Sequence, residues 1–210
     1  MSIKISRLKK FVKKLKNKKG MSLAETLLAM LIILIVTGTV TNSIKLAVNN
    51  YNRSMIRSEA KILYSTLSSI ITNELDNTGT ITLGDSSDGY YDVIGFFSKT
   101  YALDYSQTGT LDERDKLSRF YSVSVDNNGN ITGEIPYGQL MLGIKKDGKI
   151  IANSLIGTAS YTTYDLGAKV SVAYSKTRNT FRVNLEVSDH KDYTLSHSFD
   201  VIPLNKPRVI

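Results

Sequence analysis

Residues 18–40 read KKGMSLAETLLAMLIILIVTGTV: two lysines, a glycine, then an apolar run interrupted by one acid, Glu25. From Met21 to Val40 there are 20 residues, which as a helix rise about 30 Å, the thickness of a bilayer's hydrocarbon core. A carboxylate near the end of such a span costs less than one at its middle, yet it still calls for a reason. On the N-terminal side, residues 1–20 hold nine lysines and arginines and no acid, a pattern that keeps this end in the cytoplasm. A secretory signal peptide would show a shorter apolar region and a small-residue cleavage site. Here Thr41-Asn42-Ser43 leads into more helical pattern, so the apolar run reads as a retained membrane segment with the C-terminal part outside.

The chain of 210 residues carries a formal charge of +8. Without the nine basic residues of 1–20, 18 basic residues face 19 acidic ones and the net falls to −1. The overall basicity is therefore not a nucleic-acid footprint, and no intrinsic nucleic-acid binding is expected.

Beyond Val40, apolar residues recur at Ile44, Val48, Tyr51, Met55, Ile62, Leu63, Leu67, Ile70, Ile71 and Leu75, with spacings mostly of three, four or seven. Lys45, Asn49, Arg53, Arg57 and Lys61 fall on other faces, with Glu59 and Glu74 mixed among them. The spacing predicts one helix from about Ser22 to Leu75, roughly 80 Å long, ended near Gly79.

The Lys18-Lys19-Gly20 leader end, Met21 and Glu25, in that order ahead of the apolar run, resemble the precursors of type IV pilins and pseudopilins. The resemblance covers residues 18 to about 45. It implies that a prepilin peptidase cuts between Gly20 and Met21 and methylates the Met21 amine. It also implies that Glu25 pairs with the Met21 amine of a neighbouring subunit, its other reading being an interfacial acid at the membrane edge. The chain departs from many members in having methionine after the cut, a long leader, no cysteine and no proline before Pro136. A proline kink is thus not expected, and Gly38 is left as the loosening point of the membrane half.

From Thr80 onward, glycine, asparagine and aspartate punctuate short β-rich runs. A polar turn is expected over Gly84–Gly89, a strand over Tyr90–Ser98, and a loop over Thr100–Lys116. Hairpins are expected around Asn127–Asn130 and around Lys146-Asp147-Gly148. Three alternating strands follow, over Val170–Tyr174, Phe181–Val187 and Tyr193–Val201. The fold class is α+β, pilin-like: a leader over 1–20, a long helix over 21–77 whose half 21–40 is transmembrane, and an exported β domain over 78–210. The outer half of the helix, from about Ile44, is expected to lie across one antiparallel sheet.

Catalytic chemistry is poorly supplied, and the chain is read as no enzyme. His190 and His197 are seven apart, which sets them on opposite faces of a continuous strand; His197, in phase with Leu195 and Phe199, reads as a partly buried structural residue. Asp126, Asn128 and Asn130, like Asp85, Asp88 and Asp92, are read as turn chemistry and not as a calcium loop, because no closing glutamate follows at the required spacing. No cofactor and no metal is expected. Tyr90, Tyr91, Tyr101, Tyr105, Tyr161 and Tyr164 sit in or beside loops, the one hint of an adhesive binding module, against which stands the reading that they are edge and core residues. The function expected is a major or minor filament subunit, initially embedded in the cytoplasmic membrane and then part of a cell-surface filament. Its partners are the prepilin peptidase, other pilin subunits and the assembly platform; a secretion or DNA-uptake pseudopilin is the alternative.

Overall fold

The computed structural model describes residues 23–98 and 117–210. The chain divides into two units, Met1–Asn52 and Arg53–Ile210. One helix, α1, runs unbroken over Leu23–Asp76, 54 residues. Ten strands follow: β1 Thr80–Ser87, β2 Tyr90–Phe96, β3 Arg119–Val125, β4 Ile131–Glu134, β5 Gln139–Lys146, β6 Lys149–Ser154, β7 Gly167–Ser175, β8 Thr180–Ser188, β9 Thr194–Val201 and β10 Arg208–Val209, with a one-turn helix α2, Ala159–Thr162, before β7. The layout is α+β. The loop expected over Thr100–Lys116 lies outside the described residues.

The single sheet expected from the sequence is two sheets. One has six strands in the order β10-β1-β2-β7-β8-β9, the other four in the order β4-β3-β5-β6. The hairpins fall where the turn residues set them. Asp147 and Gly148 both adopt positive φ, 50° and 78°, the conformation that matches the twist of the flanking strands β5 and β6. The β7–β8–β9 meander is fully paired, from Gly167↔Ser188 to Phe181↔Val201.

The expected turn over Gly84–Gly89 shrinks to Asp88-Gly89, with φ of 51° and 79°. Polar Asp85, Ser86 and Ser87 stand exposed in β1 instead. The ladder to β2 (Ser86↔Tyr91, Ser87↔Tyr90) holds them there, because backbone pairing is indifferent to polar side chains on a solvated surface.

The main core lies within the second unit. Leu63, Leu67, Ile71 and Leu75 recur every four residues on α1 and join Ile81, Phe96, Tyr174, Phe181, Val183, Leu185, Val187 and Val201 of the large sheet, with Leu140 and Leu142 of β5. Each such fully buried side chain contributes roughly 1.5–3 kcal/mol relative to exposure. The periodic face extends further than the burial does: Ile44, Val48, Tyr51 and Ile62 are all exposed, and partial burial begins at Met55 and Ile56. Periodicity reports that a face is apolar and says nothing of what covers it.

The C-terminal tail closes the far end of α1. The Thr78 hydroxyl donates to Glu74 O at 3.0 Å and Asn77 Nδ2 to Asn73 O at 2.8 Å, while the Leu204 N–H reaches Asp76 O at 3.0 Å. These donors take up carbonyls that a helix end leaves without partners. Arg208 and Ile210 then bond to Gly79 O and Ile81 O, which lays β10 parallel to β1.

Candidate functional site

The membrane-length part of α1 is the first candidate. Glu25 stands in its first turn, where the helix dipole favours a negative side chain, and it is exposed. Gly20 and Met21, the expected cleavage and methylation positions, lie outside the described residues. After Glu25 the apolar side chains follow without cover: Leu28, Leu31, Leu34 and Val36 are each more than half exposed. None of the most apolar 18-residue window is buried, and the helix is long and apolar enough to cross a membrane.

Four hydroxyls interrupt the end of this run, and each is satisfied by its own helix. Thr37 donates to Ile33 O at 2.7 Å, Thr39 to Val36 O at 2.8 Å, Thr41 to Thr37 O at 2.8 Å and Ser43 to Thr39 O at 2.9 Å. Back-bonding of this kind leaves no hydroxyl seeking water, so these residues do not disqualify the segment as a span. Gly38 sits among them, and a methyl there would meet nothing within 4 Å.

No family model, curated protein or solved structure matches this chain.

The two histidines are not brought together. His190 occupies the β8–β9 connection with φ 59° and packs edge-on to Tyr137 at 6.4 Å. His197, expected to be partly buried, is exposed on β9, its ring set edge-on against Tyr64 of α1 at 5.6 Å. It does share the inward phase of Leu195 and Phe199, but β9 is an edge strand, and an edge leaves such a side chain half open.

Among the described residues no three His, Cys, Asp or Glu side chains gather as a metal set. The Asp126 carboxylate is taken up by its own turn. It accepts the N–H groups of Asn128 and Asn130 at 2.9 and 2.8 Å and the Asn130 side-chain amide at 3.0 Å. Those bonds, the Asn130 amide first, hold its pKa below the usual carboxylate value.

The tyrosines divide. Tyr101 and Tyr105 lie outside the described residues. Tyr161 is a core residue on α2, 4% exposed; its hydroxyl accepts the Leu140 N–H at 3.2 Å. Burial pushes its pKa up to about 12 despite that bond. Tyr90 and Tyr91 lie under cations, with the Arg182 guanidinium 4.2 Å and the Lys176 ammonium 4.3 Å from their ring centres. Arg182 in turn pairs with Asp200 at 3.3 Å.

Glu74, expected among the mixed charges on the helix surface, is instead 2% exposed. One oxygen accepts the Ser98 hydroxyl and the other, Oε1, has no hydrogen-bond partner among the described residues. Its place was readable, since it lies seven residues after Leu67 and three after Ile71, on the buried face.

Proposed function

We propose that this chain is a type IV pilin-like filament subunit with a pilin-like fold, made as a membrane-embedded precursor. The observation that carries the reading is the uncovered apolar first half of α1 with Glu25 in its first turn, five residues beyond Gly20. A bilayer covers that surface first, and the equivalent helices of other subunits cover it in the filament. Prepilin peptidase cuts after Gly20 and methylates Met21. Glu25 then meets the Met21 amine of a neighbour, which removes an isolated charge from an apolar core, where either group alone would cost several kcal/mol. The same pairing sets the stagger between subunits. The chain performs no chemistry itself; the assembly platform and the other subunits are its partners.

The test separates processing from assembly. In cells that have the peptidase, mass spectrometry is expected to find a mature protein starting at Met21. Glu25→Ala is expected to be inserted and cleaved but lost from sheared filaments, and Glu25→Gln to fail nearly as badly, because it keeps size and loses charge. Normal recovery of both variants in filaments, on immunoblots against the membrane fraction, would overturn the assembly role.

A further inference from the structure

Ile44, Val48, Tyr51 and Ile62 keep an apolar period and are exposed, and they do not stand in line with the buried face of α1. Ile56, Ala60, Leu63, Leu67, Ile71 and Leu75, which pack in the core, spread over about 120° of the helix surface at about 100° per residue. Ile44, Val48, Tyr51 and Ile62, with partly buried Met55, fall within about 60°, and the two stripes are centred about 145° apart. Two adjacent residues show the change of side: Ile62 is 57% exposed and Leu63 is 3% exposed.

The two stripes differ in width as well as direction. A helix that lies on its own domain shows an apolar stripe of about 100° or more, whereas a narrow stripe with spacings of three and four is the seam along which one helix meets another. From Ile44 the steps are 4, 3, 4, 3 and 4, through Val48, Tyr51, Met55, Ser58 and Ile62, with Ser58 the one polar position. In the other direction the steps are 4, 3, 4 and 3, through Val40, Thr37, Ile33 and Met30. The Thr37 hydroxyl is bound to Ile33 O and does not interrupt the run, and the two fours that meet at Ile44 make a single stutter. Ser65, Ser69 and Thr72, which would carry the seam past Ile62, are polar, so it ends there.

The charges of this stretch stand off the seam. Lys45, Arg53, Arg57 and Lys61 all lie about 90° or more from its centre, and the Arg57 guanidinium is turned to Tyr193 of the domain. Lipid does not account for the whole seam, because Ile62 adjoins Leu63 of the exported domain's core. A second copy of this chain does. Its basic residues 1–20 hold the same end in the cytoplasm, so its α1 runs parallel, and in register it offers the same seam at every level from Met30 to Ile62.

We propose that a second copy covers the seam: two precursors lie parallel and in register in the membrane, their α1 helices packed from Met30 to Ile62. This rests on the membrane span of the proposed function, and not on cleavage after Gly20 or on the role of Glu25. The chain has no cysteine, so single introduced cysteines report the contact, since a disulfide forms only where two Cα atoms come within about 7 Å. The full chain is expressed in cells without the peptidase or other pilins, and its membranes are treated with copper phenanthroline and run on non-reducing gels. Val48→Cys, Tyr51→Cys and Ile62→Cys are expected to form dimer about tenfold faster than Lys45→Cys, Arg53→Cys and Lys61→Cys, which point away from the partner. Ile62→Asp, added to Val48→Cys, sets two like charges against each other and is expected to slow the crosslink about tenfold, while the exposed position leaves the domain folded. Glu25→Ala, added to Val48→Cys, is expected to leave the crosslink unchanged even though that variant is lost from filaments. Equal rates on all faces, no dimer at the seam, or indifference to Ile62→Asp overturns the proposal. Dimer between Val48→Cys and Met55→Cys chains but within neither overturns it too, by making the pair staggered, and loss of the crosslink with Glu25→Ala overturns it by making the contact a part of filament assembly.

Discussion

Leu34 and Leu67 belong to one helix, yet the first is 70% exposed and the second fully buried. The first half of α1 is apolar on every side from Leu27 to Val36, with Leu28, Leu31, Ile32 and Leu34 all in the open. The second half is apolar on one side only, with Leu63, Leu67, Ile71 and Leu75 in the core and Lys61 and Ser65 in solvent. A helix with one apolar stripe is made to lie on its own domain; one that is apolar all round needs lipid or other helices. The contrast separates the part of the helix that stabilises the fold from the part that connects the molecule to something else.

Truncating a side chain in each half gives the largest difference. Leu67→Ala is expected to lower the domain's stability by about 3 kcal/mol, the usual loss for a fully buried leucine. Leu34→Ala is expected to change it by less than about 0.5 kcal/mol. Urea titration of the detergent-solubilised chain, followed by tyrosine fluorescence, measures both. Similar losses from the two variants would mean that the first half is packed on the domain after all.

Much of this contrast is readable in the sequence, because it depends on local pattern and length. The Gly20, Met21 and Glu25 candidates come from one short stretch, and the Asp147-Gly148 turn announces its own hairpin. What was not readable depends on long-range pairing. β10 has two residues and exists only because Arg208 meets Thr80. β1 looks like a turn at Asp85-Ser86-Ser87 because its polar end is held by β2 and not by its own side chains. Ile44, Val48 and Tyr51 keep the helical period but lose their cover.

Acid offers an intermediate test, acting where the covered part of α1 begins. The Arg57 guanidinium lies 5.6 Å from the ring centre of Tyr193 in the β8–β9 connection. That connection is ordered by Asp189, whose carboxylate accepts the N–H groups of Lys191 and Tyr193 at 2.9 and 3.0 Å. Burial works to raise the Asp189 pKa, but the main-chain donors, Tyr193 and Lys191 foremost, together outweigh it and hold the group below its ordinary value. A carboxylate depressed in the folded state contributes stability that is present above its unfolded pKa of about 3.9 and is lost as pH falls through the lower folded value. Asp189→Asn is therefore expected to be less stable than the unsubstituted chain at pH 7, with the two converging as pH falls past the unfolded value of about 3.9 and through the lower folded one. Parallel curves of denaturation midpoint against pH would remove Asp189 from the account.

The smallest effect is expected at Gly38, and its value lies in where it is absent. A glycine within a helix costs about 1 kcal/mol relative to alanine, and a methyl at Gly38 meets nothing within 4 Å, so Gly38→Ala is a substitution without steric cost. It should stiffen the stretch in which Thr37, Thr39, Thr41 and Ser43 already direct their hydroxyls back to helix carbonyls. Slower amide hydrogen exchange around residues 36–42 in detergent is the expected reading. The unfolding free energy of the domain, read from its denaturation midpoint, is expected to change by less than about 0.5 kcal/mol, because its cooperative unfolding concerns the core around Leu67 and not the uncovered helix. A shift of the midpoint equal to the gain in helix stability would show that α1 melts as one unit with the domain, and the division between its halves would then be one of burial alone and not of energetics.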